Sequence, residues 1–217
     1  MKRSILVLVS FLMIMAAIQP SAQAASTEGK KGLMTLGTPA PDFSLPDVVT
    51  GKNVSLSDYA GKKALVVIFL CRHCPFVVHD KAGIIQMAND YAGKDFAMVG
   101  ISANDASKYP ADAPSSLREM AIQDNFPMPI LYDETQETAK AYTAVTTPDV
   151  FVFDQDRKLA YRGQFDDARP GNDIPVTGND ARAAVDAVLA GKPAAERQKP
   201  SIGCGIKWKE GSEPAYL

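Results

Sequence analysis

An α/β domain of three layers, with a central mixed β-sheet flanked by helices, is predicted by three features of the chain. Apolar runs of strand length alternate with helical periodicities. Two of those runs, Lys63–Leu70 and Phe96–Ser102, are almost continuously apolar, the pattern of strands covered on both faces. The chain then closes with a hairpin and a helix, which makes the sheet mixed.

The elements follow in order. Residues 37–45, Gly-Thr-Pro-Ala-Pro-Asp-Phe-Ser-Leu, read as an extended lead-in, because the prolines exclude helix. Val54-Ser55-Leu56 is a short strand ending at the turn Asp58-Tyr59-Ala60-Gly61. After the first buried strand a helix is expected from Pro75 to about Tyr91, with Val77, Ile84, Ala88 and Tyr91 on one face. Pro75 suits the first turn, where a missing N–H costs nothing, and Gly93 suits the stop. A long loop from Asn104 to Ser115 leads to a helix over about Ser116–Gln123. Ile130-Leu131-Tyr132 reads as a strand and Glu134–Tyr142 as a helix. Val150–Phe153 and Lys158–Tyr161 form a hairpin over the polar turn Asp154-Gln155-Asp156-Arg157. Asn179 caps a last helix with Ala181, Ala184, Val185, Val188 and Leu189 inward, and Gly191 stops it. No internal repeat and no second domain are visible.

The first residues are expected to lie outside the fold. Met1-Lys2-Arg3 is basic, Ile5–Ile18 is almost wholly apolar, and Ala22-Gln23-Ala24 is a small-x-small cleavage site. Residues 1–24 therefore read as a secretory signal peptide, and the apolar run is short for a membrane span of about 20 residues. Residues 25–35 form a polar arm, 36–192 the domain and 193–217 a tail carrying Cys204. Loss of Lys2 and Arg3 leaves 21 basic against 25 acidic residues, which argues against a nucleic-acid partner. No second long apolar segment follows, so no stable membrane insertion is expected after cleavage. The product is expected to be exported, to the periplasm or the medium.

The chemistry centres on Cys71-Arg72-His73-Cys74, set directly after the apolar strand and before Pro75. A thiolate there faces unpaired helix N–H groups and the positive end of the helix dipole. Both pull its pKa from about 8.5 toward about 3.5–7.5. Positions i and i+3 bring the sulfurs together and leave the first one accessible, which makes Cys71 the attacking thiolate and Cys74 the resolving one. A permanent bridge is the bland alternative, and its loop is too small to stabilise much. His73 and Arg72 lie between the sulfurs, where an imidazolium or a guanidinium favours thiolate; a solvated loop is the plain alternative. Thr147-Pro148 stands before the Val150 strand, where a proline can present the Thr147 backbone to an extended substrate or simply start a strand. Cys204, between two glycines near the single tryptophan, is either a third redox cysteine or a buried inert one, or it pairs with a partner. Three cysteines fit a working pair plus one better than a structural framework. A zinc or copper carrier, using Cys71, Cys74, Cys204 and one of His73 or His79, is the competing chemistry. It lacks a second pair of closely spaced ligands, so no metal and no cofactor is assigned.

At this point the chain resembles the thioredoxin-like superfamily, in its exported redoxin group related to thiol–disulfide oxidoreductases and to peroxiredoxins of the AhpC/TSA type. The resemblance runs from about Leu36 to Tyr216. It rests on Pro39-Ala40-Pro41-Asp42-Phe43-Ser44-Leu45, Asp58-Tyr59-Ala60-Gly61-Lys62, Phe69–Pro75, Thr147-Pro148-Asp149, Gly163–Asp167 and the Cys204 tail. It implies a cis bond before Pro148 beside the dithiol. The chain departs from the pattern at Leu70, where thioredoxins carry tryptophan, and at Leu65, where they carry a buried acid. Peroxiredoxins carry a proline and a threonine seven and three residues before their reactive cysteine. With Cys74 in that role, those places fall on Val67 and Cys71. The expected function is thus an exported thiol–disulfide oxidoreductase. Its expected partners are protein or small-molecule thiols and disulfides and an unidentified electron donor or acceptor. Thiol-dependent peroxide reduction with Cys204 as resolving cysteine is the runner-up.

Overall fold

The computed structural model describes residues 32–194 and 198–217; the expected signal peptide and most of the expected arm lie outside them. The elements in chain order are β1 (Ser44–Pro46), β2 (Asn53–Ser55), β3 (Ala64–Phe69), α1 (Pro75–Asp90), β4 (Phe96–Ser102), α2 (Pro114–Gln123), β5 (Ile130–Tyr132), α3 (Glu137–Ala141), β6 (Thr146–Thr147), β7 (Asp149–Phe153), β8 (Leu159–Gly163), α4 (Asn179–Leu189) and β9 (Cys204–Gly205). Five strands make the central sheet in the order β5-β4-β3-β7-β8. β3 pairs parallel with β4, and β4 with β5, whereas β7 runs antiparallel to both β3 and β8. The predicted mixed sheet is present.

β3 is the centre of the molecule, and all six of its residues are buried. Its alternation splits the interior in two. Val66, Ile68 and then Leu70 meet Val77 and Ile84 of α1, Leu117 of α2 and Val185 of α4. Leu65, Val67 and Phe69 meet Tyr142, Phe151, Phe153 and Phe43 on the other face, with Ala139 of α3. Each large side chain removed from water here stabilises by about 1.5–3 kcal/mol. The strand therefore holds its C-terminal end, and the cysteine after it, in a fixed place.

Boundaries shift where local chemistry competes with periodicity. α2 begins at Pro114, two residues before the expected start: proline takes the first helical position, and the preceding Ala113 is extended at ψ 151°. α3 begins at Glu137 rather than Glu134, because Gln136 adopts φ 66° and Asp133 folds back to accept from the Ala139 N–H. β2 ends at Ser55 rather than Leu56, because residues 56–59 form a 3₁₀ turn with Asp58 accepting from the Ser55 N–H, where the turn was expected from Asp58. Asn179 opens α4 as its first residue, while Gly178 at φ 70° holds the cap position and gives its N–H to Asp166.

Candidate active site

Cys71 follows β3, and Cys74 is the N-cap of α1, with Pro75 behind it in the first turn. Across from them runs β6, the short strand that ends in the cis bond Thr147–Pro148, as the resemblance implies. The Thr147 hydroxyl lies 3.4 Å from Cys71 Sγ, and the Cys74 thiol donates to the Thr147 carbonyl at 3.1 Å. One threonine thus touches both sulfurs. Neither is in a disulfide in this structure.

The two thiols ionise as one unit. The first proton leaves well below the usual thiol range, chiefly because the Cys71–Cys74 hydrogen bond steadies a single anion, helped at Cys74 by the Cys204 thiol and the Val77 N–H. A second anion is strongly opposed, first by that same hydrogen bond, then by burial and by the negative Asp112 beside Cys71. Cys71 Sγ faces the Thr147 hydroxyl and the Cys74 N–H, both able to donate to a thiolate.

The expectation that Cys71 stays open to solvent does not hold. Cys71 and Cys74 are both wholly buried, whereas Cys204 keeps part of its surface in solvent. The tail runs beside the pair. β9 pairs antiparallel with β6, Thr147 opposite Cys204 and Thr146 opposite Gly205, and Cys204 packs onto the cluster that holds the pair. Cys204 is near enough to Cys74 to steady its thiolate, so the tail brings all three cysteines to one site. Burial, the Cys74 hydrogen bond and the Cys74 charge push Cys204 up to about 11.

The two residues between the cysteines are tied down from outside the motif. Asp112, itself fully buried, accepts from the backbone N–H groups of Arg72 at 2.8 Å and His73 at 3.2 Å. Its other oxygen meets His73 Nδ1 at 2.5 Å and accepts from Asn104 at 2.7 Å. The His73 ring stacks on Tyr109 at 5.4 Å. Arg72 turns toward α2, donating to the Ser116 carbonyl and to Glu119, so its charge is shared with an acid rather than left for the sulfurs.

The four-ligand metal set read from the sequence is not assembled. Among the described residues the grouping within 4.8 Å is Cys71, His73 and Asp112, and both Asp112 oxygens are already engaged by donors. His79 stands outside it, with its Nε2 buried and unpartnered among the described residues.

Two acids escaped the reading of the sequence. Asp112 hides in a loop between two prolines, and nothing local marks it as interior. Asp80 on α1 has only 5% of its surface exposed, and its Oδ1 has no hydrogen-bond partner among the described residues. Burial, then the Asp166 charge, raises its pKa to about 7 against the pull of Arg169, and Cys74 is close enough to contribute. The spacing Val77, Asp80, Ile84, an acid inside an apolar stripe, was the available signal.

Comparisons with known proteins agree with this geometry. Residues 36–162 match the AhpC/TSA family. Among solved structures, an uncharacterized conserved protein from Geobacillus kaustophilus is 52% identical over 80% of this chain and 92% of its own, with TM-score 0.78. A thiol:disulfide interchange protein of the thioredoxin family from Chlorobium tepidum TLS, 22% identical over 70% of this chain and 97% of its own, shares the fold with TM-score 0.56. Peroxiredoxin-2 of Cricetulus griseus is 30% identical over 82% of this chain and 88% of its own. Two Mycobacterium tuberculosis relatives with peroxiredoxin names, 29% identical over 51% of this chain, are spanned over 65% of their length. A mixed sheet that ends in a dithiol facing Thr147, and a family match over more than half of the sequence, lead to one assignment: the chain belongs to the AhpC/TSA family of thioredoxin-like redox proteins.

Proposed function

We propose that the protein is a thiol–disulfide oxidoreductase whose working couple is Cys71–Cys74. The observation that carries the reading is the contact of two thiols with each other and with Thr147 at the start of α1, where one shared proton leaves a stabilised thiolate. In the reaction, a thiolate attacks a substrate disulfide, one substrate thiol leaves, and the second cysteine attacks the mixed disulfide to release the other. The protein ends as the Cys71–Cys74 disulfide, and the substrate has gained two electrons and two protons. His73 and Arg72, held through Asp112, fix the loop in which the sulfurs meet. Protein or small-molecule disulfides are the substrates, and export by the 1–24 segment puts the reaction outside the cytoplasm.

The test is dithiol-dependent disulfide reduction by single variants. Cys71→Ser and Cys74→Ser each drop turnover by at least about 10³-fold, as expected when a residue of a concerted unit is lost. Full activity of either variant would overturn the assignment. The reduction potential of the pair then gives the direction of electron flow, near about −270 mV for a reductant and near about −120 mV for an oxidant.

Peroxide reduction is a second reading, favoured by the AhpC/TSA membership and by the peroxiredoxin relative. It predicts thiol-dependent hydrogen peroxide consumption far above that of a free thiol; a rate equal to the free thiol's removes it.

A further inference from the structure

The three sulfurs are gathered at one place. Cys71 and Cys74 are wholly buried in one cluster and both touch Thr147, Cys204 packs on that cluster opposite Thr147 in the β6–β9 pairing, and of the three Cys204 alone keeps surface in solvent. Placement of Cys204 is not an accident of a loose end. The Lys199 carbonyl accepts from the Gln164 N–H at 3.1 Å on one side of it. On the other side Ile206 is buried, with its N–H on the Val145 carbonyl at 3.1 Å, and the Lys207 N–H donates to Asn104 at 2.8 Å. Between these anchors the backbone of Gly203 lies so close to Thr147 that a Cβ would collide with its carbonyl. The β6 edge, which touches both sulfurs of the pair, is thereby occupied by this chain's own cysteine segment.

The geometry points to Cys204 as a third catalytic cysteine, the port through which external thiols and disulfides exchange with the buried Cys71–Cys74 couple. The proposal rests on the redox reading of that couple and adds the route into it. Starting from the Cys71–Cys74 disulfide, the Cys204 thiolate attacks Cys74 Sγ. The Cys74–Cys204 bond forms, the Cys71–Cys74 bond breaks, and Cys71 leaves as the thiolate, taking up the proton that Cys204 gave away. No electrons are gained or lost in this step. An external thiolate then attacks Cys204 Sγ, the one sulfur it can reach, and Cys74 leaves. A second external thiol clears the mixed disulfide from Cys204. Two thiols have become one disulfide, and the protein has gained two electrons and two protons. The same steps in reverse carry oxidation inward. Cys71 and Cys74 suit the leaving role, since donors stand ready for each anion: the Thr147 hydroxyl for Cys71 and the Val77 N–H for Cys74.

The experiment measures how fast the oxidised protein is reduced by dithiothreitol, with acid quench, alkylation of free thiols and mass analysis. Cys204→Ser is expected to slow reduction of the Cys71–Cys74 disulfide by about tenfold or more. Equal rates overturn the proposal. A second measurement does not depend on that variant. Cys71→Ser, treated with one equivalent of oxidised glutathione and mapped without reduction, yields a Cys74–Cys204 linked peptide. A stable glutathione adduct on Cys74 beside a free Cys204 overturns the proposal. The underlying redox reading fails differently: the unaltered protein then shows no reversible Cys71–Cys74 disulfide at all.

Discussion

Asp80 shows how one side chain sets a pH dependence. In the unfolded chain it ionises near the usual 3.8, and in the folded protein near about 7, because burial and Asp166 disfavour its charge while Arg169 favours it. The folded state therefore binds the proton more tightly than the unfolded state. Its favourable contribution is present below about pH 4 and is lost as pH rises toward 7. Asp80→Asn, neutral at every pH, is expected to flatten the fall in stability between pH 4 and 8 and to be the more stable protein at pH 8. Urea denaturation across that range checks this, and an unchanged slope assigns it elsewhere. Asp80 also lies within electrostatic reach of Cys74, on the helix that Cys74 caps.

At the scale of elements, the strands were legible because burial on both faces leaves an unbroken apolar run, and β4 and β5 begin and end where the sequence puts them. Helix starts were less legible. Pro114 reads equally as loop or first turn, and only the extended Ala113 before it selects the turn. β9 was illegible as a strand: two residues, Cys204 and Gly205, carry no periodicity, and their extended form comes from pairing with β6. That pairing makes a direct prediction. Gly203→Ala puts a Cβ against the Thr147 carbonyl, so β9 must lift. The variant is expected to lose about 1–3 kcal/mol of stability, the usual cost of overpacking, and to alkylate at Cys74 faster than the unaltered protein. Thermal unfolding and timed alkylation measure both; an unchanged alkylation rate would mean that β9 does not cover the pair.

At the scale of the whole molecule, the basic start, the short apolar run and Ala22-Gln23-Ala24 predict export, with the mature protein beginning at Ala25. Sequencing the N-terminus of the protein from a cell envelope or culture fraction checks this, and an intact Met1 overturns it. The sequence by itself determined the three-layer mixed sheet, the dithiol at the end of its central strand and the helix that follows, because all three depend on short-range patterns of apolarity and capping. It also singled out Thr147, Pro148 and Cys204, with Pro148 set beside the dithiol by the resemblance and a third redox cysteine as one of three readings of Cys204. Only the tertiary structure decided that one threonine touches both sulfurs, that Asp112 holds the loop from forty residues away, and that the tail closes over the pair with its own cysteine against Cys74. Those contacts join residues far apart in the chain, and they exist only after the sheet has brought the ends of β3, β6 and the tail together.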